Sequence, residues 1–462
     1  MNKQKNKQWK LMVCAALVAM LCLGMALPAF AAPPTRVLWR EGTELEPAEA
    51  GVTKILKMPV GTDIPTISFG FEFEPLWVDL EANAYDGSNM PTIPNATITF
   101  DSDDEGDAVS GGAGIKLVIK ESGDVLDSIT TPWPHAGEYV YRVKEIIPSS
   151  GYPVTDAKGF VVAEITHYSI AEYDMHVWVA QDTPTGPLYV HSVWSYIVVK
   201  NVPEDGDVDT KVDPTPGGDG EEYFWSQQIF TNTFLKNNGG KDPEDPDQID
   251  DYTVWAIKKK VDGLYADLTK YFEFSVTVRN PATVTTTTDT YIAYILEMDS
   301  GNIVAVDIGT DNFKGTIDTD TNGYKYIKFT TGAALTVYLK HGQWLAFIDL
   351  PVGSSVAALE MAAFRFMPNY TLKLFEADFT TTNTLDNIAF GFGSGSQGDP
   401  IRYLGEAENK ADFTNTYKTE PITGILADNL PYIALIAVAA LTLAAFVGFA
   451  AVKSRRKAKH GA

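Results

Sequence analysis

Apolar and polar residues alternate with a period of two along most of the chain between residues 32 and 424. Clear runs are Ser68–Phe73, Glu138–Lys144, Met175–Val179, Tyr189–Val199 and Ala334–Leu339. Successive side chains of a strand point to opposite faces, so each run predicts a strand with one buried face. Asp86-Gly87, Asn322-Gly323 and Pro351-Val352-Gly353 supply turns between such runs. No helical periodicity of useful length interrupts them. The pattern predicts an all-β chain of the sandwich type.

The two ends break this pattern. Lys3, Lys5, Lys7 and Lys10 precede an apolar run from Leu11 to Leu27, and Ala29 and Ala31 follow. That order predicts a secretory signal peptide over residues 1–31. Both cysteines, Cys14 and Cys22, lie within it, and neither follows a small residue as a lipoprotein cysteine should. At the other end, an apolar stretch over 430–452 is long enough to cross a bilayer as a helix. Lys453, Arg455, Arg456, Lys457 and Lys459 make residues 453–462 a basic cytoplasmic tail. Glu420-Pro421-Ile422-Thr423-Gly424 stands just before the apolar stretch. Pentapeptide, helix and basic tail together resemble a sortase cell-wall sorting signal. The resemblance implies cleavage between Thr423 and Gly424, with transfer of the Thr carbonyl to an amine. Glu420 departs from the commonest motif, which has Leu there.

Two stretches rich in Asp, Gly and Pro divide the middle of the chain. Pro203–Gly220 reads as a long loop within a first domain, and residues 237–251 read as a linker. The domains are then 32–236 and 252–418. An internal repeat agrees with this division. Val52-Thr53-Lys54-Ile55-Leu56, Tyr139–Glu145 and Phe230-Thr231-Asn232-Thr233-Phe234 occur in that order in the first. Ile257–Val261, Val356–Glu360 and Phe413-Thr414-Asn415-Thr416-Tyr417 occur in the same order in the second. Strand alternation puts Lys54, Glu145 and Asn232 on apolar faces of the first domain, and Lys259, Glu360 and Asn415 on those of the second.

Burying a lysine and a carboxylate costs free energy unless they are paired or neutralised. Desolvation lowers the amine's pKa and raises the carboxyl's. A neutral amine is a nucleophile, a carboxyl can relay protons, and the amide carbon of Asn is an electrophile. Loss of ammonia would leave a Lys–Asn isopeptide bond. Periodicity alone equally allows a buried ion pair beside a hydrogen-bonded Asn.

The ordered motifs resemble the isopeptide-linkage domains of Gram-positive, streptococcal-type pilins, related to collagen-adhesin B-type Ig-like domains. In the first domain they are Val52-Thr53-Lys54, Gly61-Thr62, Phe69-Gly70-Phe71-Glu72-Phe73, Gly137–Tyr141 and Ile229–Thr233. In the second they are Lys259–Gly263, His341-Gly342-Gln343, Leu350–Gly353 and Phe413–Tyr417. The resemblance implies tandem β-sandwiches with bonds Lys54–Asn232, assisted by Glu145, and Lys259–Asn415, assisted by Glu360. Asn201, also at a strand end, is a rival to Asn232, and the second bond has small residues before Glu360 where the family has bulkier ones. The family also implies a polymerisation lysine near the strand before the last of the first domain. Lys200, after Trp194–Val199, fits that place, and Lys211 is the fallback.

Composition narrows the partners. The whole chain carries 36 Lys and Arg against 60 Asp and Glu, a net charge of −24. Residues 32–424 retain 27 of the basic residues and 59 of the acidic ones, so this stretch is more acidic still. Such a surface opposes binding to nucleic acid or anionic lipid. It has no cysteine, so disulfides cannot brace it. No cofactor, metal or turnover enzyme is predicted: the six histidines have no ligand spacing, and no nucleophile with a partner stands out. Asp318-Thr319-Asp320-Thr321-Asn322-Gly323 begins like a calcium loop, but its twelfth position is Phe329, so it reads as a hairpin tip. The acidic run 101–107 reads as a solvated loop. The expected partners are a sortase, then peptidoglycan or neighbouring pilin subunits, at the cell wall. A monomeric wall-anchored adhesin is the alternative.

Overall fold

The computed structural model describes residues 41–78, 90–110, 114–148, 164–201, 207–217, 225–236, 255–284, 288–375, 377–381, 386–394, 401–406 and 409–418. Signal peptide, linker, sorting pentapeptide, apolar stretch and basic tail, as read above, lie outside them. Among the described residues there are strands and short 3-10 turns but no α-helix.

The first sandwich contains β1 (Thr53–Pro59), β2 (Ile67–Val78), β3 (Ala96–Phe100), β4 (Ala108–Ser110), β5 (Ile115–Glu121) and β6 (Gly137–Glu145). It continues with β7 (Glu164–His167), β8 (Glu172–Ala180), β9 (Tyr189–Val199), β10 (Lys211–Val212) and β11 (Ile229–Lys236). One sheet has the order β4-β5-β1-β11-β7, and the facing sheet β10-β9-β8-β6-β2-β3. The alternation read from Glu138–Lys144 and Met175–Val179 becomes inward Tyr139, Tyr141, Val143, Met175 and Val177, all buried. Outward Arg142 forms ion pairs with Glu172 and Asp174 on the neighbouring β8.

The second sandwich contains β12 (Trp255–Asp262), β13 (Phe272–Arg279), β14 (Thr290–Asp299), β15 (Asn302–Ala305), β16 (Asp318–Thr319), β17 (Lys325–Thr330) and β18 (Leu335–Leu339). It ends with β19 (Gln343–Phe347), β20 (Ser355–Glu360), β21 (Phe366–Leu374), β22 (Ala377–Thr380), β23 (Ile388–Phe390) and β24 (Lys410–Tyr417). Its larger sheet runs β16-β17-β14-β19-β12-β24-β21-β22, with β15 beside β14, and faces β18-β13-β20-β23. Each sandwich encloses its own apolar cluster, one around Phe71, Tyr141 and Phe230, the other around Phe274, Leu345 and Phe413.

In both sandwiches the first and last strands are parallel neighbours. β1 pairs with β11, Lys54 opposite Phe230, and β12 pairs with β24, Lys259 opposite Phe413. The sequence repeat is therefore a repeat of register.

One expectation needs correcting. The segment Pro203–Gly220 is not wholly loop, because Lys211–Val212 forms β10 against Tyr196 and Ser195 of β9. Two residues are too few to show alternation, and the pairing is set by β9 rather than by local sequence. The hairpin-tip reading of 318–323 agrees with the geometry. Asp320 accepts the N–H groups of Asn322 and Tyr324 and the hydroxyl of Tyr294.

The sandwiches meet at a joint. The Val352 N–H donates to the Lys236 carbonyl at 2.7 Å, on the last residue of β11. Glu406 takes the Lys236 ammonium at 2.6 Å and the Asp63 N–H at 2.8 Å, while its own N–H donates to the Gly61 carbonyl. Gly353, at φ +82°, lies so close to Pro59 that a Cβ there would sit 2.2 Å from the proline's Cβ.

Candidate cross-linking sites

Within the first sandwich, β1 and β11 contribute Lys54 and Asn232 from one sheet, and β6 contributes Glu145 from the other. Pleating turns all three inward, where Lys54 and Asn232 are fully buried and Glu145 is 5% exposed. The Lys54 ammonium donates to Glu145 Oε2 at 2.7 Å, and the Asn232 amide NH2 donates to Glu145 Oε1 at 2.7 Å. One carboxyl thus links the amine to the amide. Phe69 and Phe71 wall the site, with Lys54 Nζ 4.5 Å from the centre of the Phe69 ring. Burial among these rings outweighs the attraction of Glu145 and lowers the Lys54 pKa to about 7.

The second sandwich repeats this with β12, β20 and β24. Lys259 Nζ donates to Glu360 Oε1 at 2.6 Å, and Asn415 Nδ2 donates to the same oxygen at 2.7 Å. Phe272 and Phe274 take the places of Phe69 and Phe71, at 4.5 and 5.7 Å from Lys259 Nζ. The cross-sheet register repeats too: Glu145 lies opposite Phe71 and Glu360 opposite Phe274. Burial lowers the Lys259 pKa to about 8 and raises that of Glu360, so desolvation disfavours charge on both partners. The small residues Val356, Ala357, Ala358 and Leu359 do not displace Glu360, which is fully buried.

The two sites differ around the amide oxygen. In the first, the Ser169 N–H donates to Asn232 Oδ1 at 2.6 Å and, more weakly, to Glu145 Oε2 at 3.2 Å. In the second, Asn415 Oδ1 and Glu360 Oε2 have no hydrogen-bond partner among the described residues. Ser169 could not have been found from its side chain, because the donor is its backbone.

Asn201, the rival to Asn232, stands outside the triad. Its Oδ1 accepts the Ile170 N–H at 3.2 Å, and its Nδ2 donates to the Thr231 carbonyl at 2.8 Å. Lys200 follows β9, is exposed, and forms an ion pair with Asp207 at 3.6 Å. Lys211 at the start of β10 lies 4.0 Å from the centre of the Trp194 ring.

The lowered amine makes a pH prediction. An Asn232→Ala chain keeps a free Lys54. Between pH 7 and 10.5 its unfolded form then binds more protons than its folded form, so stability should rise with pH across that window. Urea midpoints of the first sandwich measured through this range check it. A flat profile would mean that Lys54 is not desolvated.

A family described as a domain of unknown function, DUF7601, matches residues 255–371. No curated protein matches. Among solved structures, the chain is similar to the major pilin of Streptococcus pyogenes at 17% identity, covering 80% of this chain and 99% of that one, with a TM-score of 0.29. It is similar to the major pilin T3.2 of a further S. pyogenes serotype at 15% identity, with 80% and 99% covered and a TM-score of 0.27. The pilus-presented adhesin Spy0125 matches at 10% identity, with 80% and 100% covered and a TM-score of 0.20.

Proposed function

We propose that the chain is a sortase-anchored structural subunit of a Gram-positive surface pilus, braced by isopeptide bonds Lys54–Asn232 and Lys259–Asn415. The observation that carries this reading is the occurrence of the same buried Lys–Glu–Asn arrangement twice, in the same register, across the same pair of strands.

Each bond forms once, without turnover or cofactor. With a proton on the glutamate and none on the amine, Nζ adds to the Asn Cγ and a C–N bond forms. The carboxyl takes a proton from Nζ and gives one to Nδ2, which leaves as ammonia. Glu145 touches one nitrogen with each oxygen, whereas Glu360 serves both through a single oxygen. In this reading a sortase cleaves after Thr423 and joins it to Lys200 of a neighbouring subunit or to peptidoglycan. Exposure of Lys200 supports its availability.

Intact mass of residues 32–419 tests the cross-links. Two bonds lower the mass by two ammonias, roughly 34 Da, a covalent change independent of any packing argument. An unchanged mass would leave the triads as buried polar partners only.

A monomeric adhesin is favoured by one observation. Trp178 and Tyr196 are exposed beside Trp194 and His176 on the outer face of β8 and β9. Loss of a sortase-dependent ladder of polymers in a Lys200→Ala chain supports the pilus. The absence of any ladder in the unaltered chain supports the adhesin.

A further inference from the structure

We infer that the backbone N–H of Ser169 is the oxyanion donor for the first cross-link, and that Asn201 is the positioning residue that holds it there. The inference rests on the cross-linking reading above and deepens it.

Addition of Lys54 Nζ to Asn232 Cγ breaks the carbonyl π bond and moves its electron pair onto Oδ1. When the carbonyl re-forms, Nδ2 departs as ammonia with the proton supplied by Glu145. The transient negative charge on Oδ1 needs a donor already in place, because Lys54, Asn232 and Ser169 are shut off from bulk solvent. Ser169 is 1% exposed, and its N–H stands 2.6 Å from Oδ1 before reaction. A hydrogen bond to a developing oxyanion is stronger than one to a neutral amide, so the donor favours the transition state over the ground state.

Ser169 lies in the connection between β7 and β8, where a loop amide would drift without support. Asn201 supplies that support from both sides. Its oxygen holds the N–H of Ile170, the residue after Ser169, and its nitrogen holds the carbonyl of Thr231, the residue before Asn232. The donor and its target are thereby tied to one amide side chain. The Ala171 N–H bonded to Ser169 Oγ closes the turn. No group plays this part at Asn415, whose Oδ1 is without a partner among the described residues. The first bond should therefore form faster than the second.

The test follows ammonia loss at each site in the full chain made by cell-free synthesis, using peptide masses from acid-quenched time points. In the unaltered chain, Lys54–Asn232 should complete at least about tenfold sooner than Lys259–Asn415. Ser169→Pro, which deletes the N–H, should slow the first bond about 10²-fold, the usual consequence of losing one oxyanion donor. Ser169→Ala keeps the N–H and loses only the Oγ bond to the Ala171 N–H, so it should slow the first bond far less than Ser169→Pro does. Asn201→Ala should slow the first bond about tenfold without moving the midpoint of its pH–rate profile. The second bond in the same molecules should keep its rate, which confines the effect to the first sandwich. Trypsin resistance of residues 41–236 equal to that of an Asn232→Ala chain shows that the first sandwich has folded.

Unaltered first-bond rates in both Ser169→Pro and Asn201→Ala overturn the inference, as does a second bond as fast as the first. If Asn201→Ala shifts the pH midpoint upward, Asn201 keeps water out rather than placing the donor, and its assigned role falls. Absence of ammonia loss at both sites in the unaltered chain refutes the cross-linking reading itself, a distinct result.

Discussion

Glu145→Ala is expected to bring the first sandwich close to unfolding at neutral pH. Removing one partner of a buried pair costs about 3–5 kcal/mol, because the Lys54 amine must then give up its proton or stay charged without compensation. Lys54 has no exposed surface on which to recover hydration. If Lys54 and Asn232 react as proposed, the same change also removes the group linking Nζ to Nδ2, so the bond should not form and one ammonia should stay on the chain. A bond closing so long a loop constrains the unfolded chain by about 5 kcal/mol on the chain-entropy account. Together the losses are on the order of 8–10 kcal/mol, comparable with the whole stability of an ordinary domain. Thermal melting and trypsin digestion should both show it, increasingly as the pH falls, because the unfolded chain's Lys54 takes up a proton that the buried amine resists. A variant that melts with the unaltered protein and shows the same mass deficit would remove Glu145 from the reaction.

Gly353→Val should separate the two sandwiches while leaving both buried Lys–Glu–Asn triads in place. The added Cβ would stand 2.2 Å from the Cβ of Pro59, which is held at the end of β1 by its pairing with β5. The backbone at φ +82° is also one that a β-branched residue adopts only with strain, costing about 1–3 kcal/mol. Against this, the joint offers a few hydrogen bonds worth about 0.5–1.5 kcal/mol each and the Lys236–Glu406 ion pair. Opening the joint is the less costly response. Solution scattering should report a longer, more variable particle, and the protein should melt in two steps. Unchanged dimensions would mean that the strain is absorbed within the 350–354 turn.

The buried triads were legible in the sequence because strand alternation is strict and apolar neighbours reveal which face is inward. Lys259 was separable from Lys258 and Lys260 on this ground alone, and Lys258 instead lies against the Trp344 ring. Glu360 was legible despite its small neighbours, since Ala358 still marked the inward face. Other features left no such trace. The Ser169 donor is a main-chain group, which any residue except proline supplies. Asn201 reads from its strand end as a possible reactant, whereas its bonds to Ile170 and Thr231 depend on tertiary packing that brings those residues to either side. Pro351-Val352-Gly353 was visible as a turn. That it packs against Pro59 and Lys236 of the other sandwich was not, because contact between distant segments leaves no local period.

The parallel pairing of β1 with β11 fixes how each sandwich answers tension. The chain approaches β1 at one end of the pair and leaves β11 at the other, so a pull on its termini slides the two strands along each other instead of peeling them apart. Once Lys54 and Asn232 are joined, force passes from residue 54 straight to residue 232, and everything between them lies outside the line of pull. Unjoined, that intervening chain could pay out to roughly 600 Å at about 3.4 Å per residue. Because β12 and β24 are arranged alike, a filament of such units would stretch only at its joints and linkers. Its extensibility would be set by those short connections and not by the stability of the sandwiches.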